Sequence, residues 1–139
     1  MAFLSGPAAV LFLVSRVLFG AVMAFMGLNH VLNVDQMTPY AEMKGVPAPR
    51  FSVLFSGGML LAGGLGIAAG AFPVLAAGAV AGFLLVATPT MHDFWAAPEE
   101  DQQDEMSSFL KNLVVLGASV AFLAVGGLAW PFAVGVGLF

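Results

Sequence analysis

The sequence has no cysteine among its 139 residues. That excludes disulfides, thiolate-ligated iron–sulfur clusters, cysteine-type zinc sites and dithiol relays. Charge is nearly as scarce. Lys and Arg number four and Asp and Glu eight, together 9% of the chain, against about 25% in an average soluble domain. Four cations cannot supply the basic footprint that a phosphate backbone demands, so nucleic acid is not a partner. So few charges also leave little with which to face water, in a world where roughly 55–60% of an ordinary protein surface is already apolar. What is present instead is apolar: 60% of the chain, with 17 glycines and 13 phenylalanines. The remaining class is an integral membrane protein, one transmembrane domain over residues 1–139.

A spanning helix needs about 20 mostly apolar residues. Four segments approach or exceed this, at about 8–32, 51–71, 74–90 and 109–128, with an apolar tail running on to Phe139. The expected fold is all-α, an integral membrane antiparallel four-helix bundle with both termini on one side. No basic stretch precedes the first span, so that span is expected to stay in the mature protein rather than leave as a signal peptide. Pro49 and Pro73 fall at helix starts, where a missing N–H costs nothing. Residues 70–73 leave room only for a tight hairpin. Ser107 or Ser108 is placed to cap the fourth span, with the preceding acids at the positive end of its dipole.

Two connections are longer. In residues 33–50, Thr38 as cap, Pro39 as first residue and Gly45 as terminator describe one or two turns of interfacial helix. Residues 91–107 hold Glu99, Glu100, Asp101, Asp104 and Glu105, which read as a solvated acidic loop. A divalent-ion site is the alternative, although the run lacks the spaced ligands of a calcium loop. Lys44, Arg50 and Lys111 flank the face with these loops, and the opposite face has no Lys or Arg. The positive-inside rule then puts the long loops in the cytoplasm of a multi-pass plasma-membrane protein. Small residues recur four apart: Gly20 and Ala24; Gly58, Ala62 and Gly66; Gly78 and Gly82; Gly117 and Ala121. Such seams let helices approach in lipid, either within the bundle or between copies of the chain.

Ionisable groups inside a span are expensive and therefore informative. Arg16 lies well inside the first span, about 13 Å along it at 1.5 Å per residue. Matching span ends puts it near the midplane, level with residues 60–63, 80–83 and 116–120, where Ser119 is the polar neighbour. Two roles are open: a structural lock on backbone carbonyls, or a contact to a ligand or partner. A second polar group gathers at the long-loop face. Asn29 and His30 end the first span, His92, Asp93, Phe94 and Trp95 follow the third, and Lys111 and Asn112 open the fourth. Together they describe a polar mouth. Trp95 serves there as an interfacial anchor or as the wall of a site for a flat ligand. His92 beside Asp93 is a weak catalytic pair, and two His with one Asp match no specific metal spacing, so no metal is assigned.

These residues, in this order, resemble the DoxX family of small four-helix membrane proteins. The resemblance rests on Arg16 with Gly20 and Gly27, the loop 40–49 with Lys44-Gly45-Val46-Pro47-Ala48-Pro49, and Gly57-Gly58. It continues through His92-Asp93-Phe94-Trp95 and Phe109-Leu110-Lys111-Asn112-Leu113 followed by Gly117. Where related chains often carry an acid just before the paired glycines, this one has Ser56. The resemblance implies a redox-associated membrane subunit that binds a quinone or supports a quinone-linked oxidoreductase, with no covalently bound cofactor. The alternative is a non-catalytic protein that holds a lipid or isoprenoid or acts as a scaffold. Implied partners are membrane lipids and either a membrane redox protein or further copies of the chain. Arg16, Asn29, His30, His92, Trp95, Lys111 and Asn112 are the candidate ligand-binding residues, and no catalytic residue is assigned.

Overall fold

Proline and glycine set most of the helix boundaries. The computed structural model describes residues 3–137 and contains five α-helices: α1 Gly6–Leu32, α2 Val34–Met43, α3 Pro49–Ala69, α4 Pro73–Met91 and α5 Glu99–Ala124. The outermost residues of the expected apolar tail, 138–139, lie outside that range. Pro49 and Pro73 each occupy the first helical position, as expected. Gly70 closes α3 in the left-handed conformation at φ 72°. Four helices, all but α2, are long and apolar enough to cross a membrane. The N-terminal segment and the C-terminal tail lie side by side, joined by a bond from the Phe3 amide to the Ala129 carbonyl of 3.2 Å. The two ends of the described chain therefore share one face.

Three local expectations are corrected. The acidic run is helical, so α5 starts at Glu99 rather than near 109, and Ser107 and Ser108 lie inside it instead of capping it. Glu99, Glu100 and Asp101 occupy its first turn, where negative charge meets the positive end of the dipole. The helix ends at Ala124, short of 128, just before paired glycines at 126 and 127. Pro39 lies inside α2 rather than at its start. The Thr38 hydroxyl donates to the Val34 carbonyl at 2.6 Å, which suits a mid-helix residue and not a cap. Because Pro39 is exposed, the carbonyl it leaves unpaired can meet water.

Without a hydrophobic drive between helices in lipid, close approach decides which faces meet. On α1 the contacts are made at Gly20, Ala24 and Gly27. On α3 they are made at Gly57 and Gly64, not at the expected Gly58, Ala62 and Gly66 seam. A Cβ on Gly64 would collide with the backbone of Ala24, and one on Gly57 would lie 2.7 Å from the His30 Cβ. Gly63 and Gly66 face α4 instead, against Ala76. Gly58, Gly78, Gly82 and Gly117 have open space where a Cβ would go. The spacing rule was right for α1; elsewhere, apart from Gly66 against α4, it selected glycines that touch no neighbouring helix. Between α1 and α5 the filler is aromatic: Phe122 packs against Phe12 and Phe19, with centroids 5.8 and 5.2 Å apart.

The main core is Met23, Leu60, Ile67, Ala77, Val80 and Leu84, closed by Phe122 and Trp130. A separate small cluster of Val34, Ala41 and Val53 holds α2 onto α3. Outward, Leu11, Leu18, Phe25 and Leu32 repeat every seven residues and are 63–72% exposed, forming an apolar ridge along α1 that faces away from the bundle.

Candidate functional site

Register along α1 and α3 fixes where the polar groups sit. Gly20 packs beside Gly64 and Ala68, and Gly27 beside Gly57 and Leu61. Continuing outward brings Arg16 level with Gly70 at the C-terminal end of α3, not with residues 60–63 at the midplane. A Cβ at Gly70 would sit 3.2 Å from the Arg16 Nη1. The glycine contacts set this register, about two turns away from the one obtained by matching span ends. The guanidinium is fully buried and donates from Nη2 to the Phe132 carbonyl in the tail. Its cationic carbon also lies 5.7 Å from the Trp130 ring and 5.9 Å from the Phe12 ring, within cation–π range. Nε and Nη1 have no hydrogen-bond partner. Ser119 does not take part; its hydroxyl donates to the Val115 carbonyl at 3.1 Å. The tail holds this end shut. Val134 donates to the Ala69 carbonyl at 2.9 Å, and the Trp130 indole to the Val125 carbonyl at 2.8 Å.

At the opposite face lies a cavity of about 800 Å³ between α3 and α4 with α2 across it. His30 reaches it from α1, Tyr40 from α2, Ser52 and Ser56 from α3, and Gly82, Phe83 and Thr90 from α4. His30 stands edge-on to Phe83, with centroids 5.9 Å apart. Its Nδ1 bonds the Met26 carbonyl at 2.8 Å. The wall is mostly apolar with a few convergent polar groups, the usual constitution of a small-molecule site.

Polar contacts bolt α2 across the cavity. Lys44 Nζ donates to Asp93 at 2.7 Å and lies 5.6 Å from the Tyr40 ring centroid. The Tyr40 hydroxyl lies 3.2 Å from the Met91 carbonyl and 3.4 Å from Glu105 Oε1. Glu105 Oε2 meets His92 Nδ1 at 3.0 Å. The bond to Asp93 holds the Lys44 ammonium above its ordinary range. Burial, and then the Glu105 carboxylate, push the Tyr40 phenol up. Arg50 and Asp35 form a further pair at 2.6 Å, but with 60% and 87% of the side chains exposed it contributes little.

The anticipated polar mouth therefore divides. His30 belongs to the cavity wall, whereas His92 belongs to the Tyr40–Glu105 cluster. Asn29 is exposed and bonds Asn33 at 2.6 Å. Trp95 is exposed in a single 3₁₀ turn, Phe94–Ala96, packed edge-on to Phe94 and Phe109. Lys111 is exposed on α5 and Asn112 half-buried. Antiparallel helix ends share a level, but their side chains radiate around different helices, and level alone does not bring them together. Tyr40, Lys44 and Glu105 were not among the candidate site residues read from the sequence. A usable signal was there: Tyr40 and Lys44 lie four apart, on one face at the end of the short helix α2.

Among the described residues no three His, Asp or Glu side chains converge in a group that could hold a metal ion. Four apolar spans, a glycine-set α1–α3 pair and a cavity under the short helix α2 define a small multi-span membrane bundle with a ligand-sized recess. The DoxX family model matches residues 11–93, more than half of the chain, and the protein belongs to the DoxX family. No curated protein and no solved structure matches it.

Proposed function

We propose that the protein is a membrane subunit that holds a quinone or a similar isoprenoid-tailed molecule in the cavity beneath α2, in support of a quinone-linked oxidoreductase. The cavity carries the reading. Its volume suits a ring with the first part of a tail, its walls are apolar, and it lies between spans that face lipid. His30, Ser56 and Thr90 supply the polar contacts that would orient a head, and Phe83 supplies a flat aromatic wall. In this reading the long loops face the cytoplasm, which the positive-inside rule supports through Lys44, Arg50 and Lys111. Arg16 lies at the other end and takes no part in the cavity. The test is mass spectrometry of small molecules extracted from the purified protein, beside a cavity-filling variant. Gly82 lines the cavity and has open space at its Cβ, so Gly82→Leu should fold normally and lose the bound molecule. An unchanged extract from that variant would defeat the reading.

A second reading, a non-catalytic scaffold, is favoured by one observation. Gly78 and Gly117 present open, unpacked positions on α4 and α5. Native mass spectrometry from membranes distinguishes the two, because it reports ligand mass and subunit count together.

A further inference from the structure

We infer that the cavity selects a neutral head that donates hydrogen bonds, a membrane-soluble phenol or alcohol, over a head that only accepts them. This rests on the binding reading above and concerns the head alone.

The argument is an accounting of protons. A hydroxyl has one hydrogen to give and two lone pairs to offer. Ser52 gives its hydrogen to the Pro47 carbonyl at 2.6 Å, Ser56 to Val53 at 3.0 Å and Thr90 to Val86 at 2.7 Å. All three side chains line the cavity, and each has only lone pairs left for a ligand. His30 follows the same pattern. The Met26 carbonyl can only accept, so Nδ1 carries the hydrogen, and in that tautomer Nε2, on the edge away from the backbone, holds a lone pair. The Tyr40 hydrogen is taken up between Met91 and Glu105. Of the side chains lining the cavity only Gln36 brings N–H groups, from an exposed position on α2. No Lys, Arg, Asp or Glu is among them, so a charged head would find no counter-charge.

A carbonyl head would set lone pair against lone pair in an apolar enclosure, where each unmet polar group carries its full desolvation cost. A hydroxyl head meets the acceptors already present. A hydroquinone and an isoprenoid alcohol share this chemistry, and the measurement separates them.

The probes are a decyl-substituted benzoquinone, the hydroquinone obtained by reducing it, and farnesol, each titrated calorimetrically into the full-length protein in detergent under argon. The hydroquinone should bind about tenfold more tightly than the quinone, the effect of one good hydrogen bond. Farnesol should compete for the same site, and the tighter of the two donors identifies the head as phenol or aliphatic alcohol. His30→Phe should bring the hydroquinone-to-quinone ratio close to one while quinone affinity stays the same. Should that variant fail to fold, Ser56→Ala should narrow the ratio in the same direction. A quinone that binds the wild-type protein as tightly as its hydroquinone overturns the donor rule and leaves the cavity reading standing. Failure of all three probes overturns both.

Discussion

The two ends of the bundle treat charge in opposite ways. At the loop face, cations and anions sit in pairs near the surface. Lys44 and Asp93, at 2.7 Å, retain 16% and 31% side-chain exposure. At the far end one cation, Arg16, is fully buried without a carboxylate, holding a tail carbonyl and two aromatic faces. The first arrangement keeps α2 closed over a cavity by contacts that water can replace. The second seals its end, because releasing the tail would strand a desolvated guanidinium. The contrast also explains how Arg16 is tolerated without an acid. Gly70, beside its Nη1, caps the C-terminal end of α3, and the Trp130 indole bonds the residue that follows α5. Helix carboxyl ends carry partial negative charge, so the cation lies where the backbone itself is attractive.

The largest effect should come from the seam that sets the register of both ends. Gly64→Leu would drive a side chain into the α1 backbone at Ala24. The cost should reach about 3 kcal/mol or more. Loss of monodisperse folded protein in detergent is the expected outcome, and a normally folded variant would show that the register is set elsewhere.

Removing the sealed charge tests the far end. Arg16→Met should leave thermal stability equal or higher, since a buried charge with unmet donors gives way to an apolar chain of similar length. The same substitution should loosen the tail, seen as faster proteolysis beyond Val125. Loss of an extracted ligand from this variant would contradict the separation of the two ends.

The latch should respond to alkali. Both Lys44 and Tyr40 titrate above their ordinary values in the folded protein. The folded state therefore binds more protons than the unfolded state once pH passes the ordinary tyrosine and lysine values, near about 10. Its contribution to stability is full below that pH and is lost as pH rises through the folded values. Melting temperature followed from about pH 8 to 11 should fall more steeply for wild type than for Lys44→Met with Tyr40→Phe. Parallel curves would remove the latch. At neutral pH that double variant should cost only about 2 °C, as suits partly exposed contacts.

Smallest of all, Gly58→Ala should be neutral or slightly stabilising by melting temperature, because its Cβ meets nothing and helical glycine is entropically costly.

The sequence made the spans, the prolines at helix starts and the shared face of the termini readable, because these depend on local chemistry and on run length. It did not make register readable. Gly57 and Gly58 are adjacent and chemically alike, yet one packs against His30 and the other faces open space. Only the partner helix distinguishes them. Arg16 was misplaced for the same reason. The helical acidic run was hidden because eight mostly acidic and polar residues, 98–105, look like a loop unless their position at a helix amino end is already known. Of these groups, His30 and His92 were recognised as single residues, whereas the Tyr40–Glu105–His92 cluster depends on contacts between residues 13 to 65 apart.

The unequal lengths of the helices bear on the bilayer itself. α3 has 21 residues and α4 has 19, while α1 and α5 have 27 and 26. At 1.5 Å per residue the inner pair measures about 30 Å, close to the thickness of an average hydrocarbon core. The outer pair is about 10 Å longer and must tilt or protrude. With its short pair fixed by the hairpin at Gly70, the bundle tolerates a thin membrane more readily than a thick one. In a thick membrane, lipid would have to compress around α4, at a cost of fractions of a kcal/mol for each ångström of mismatch.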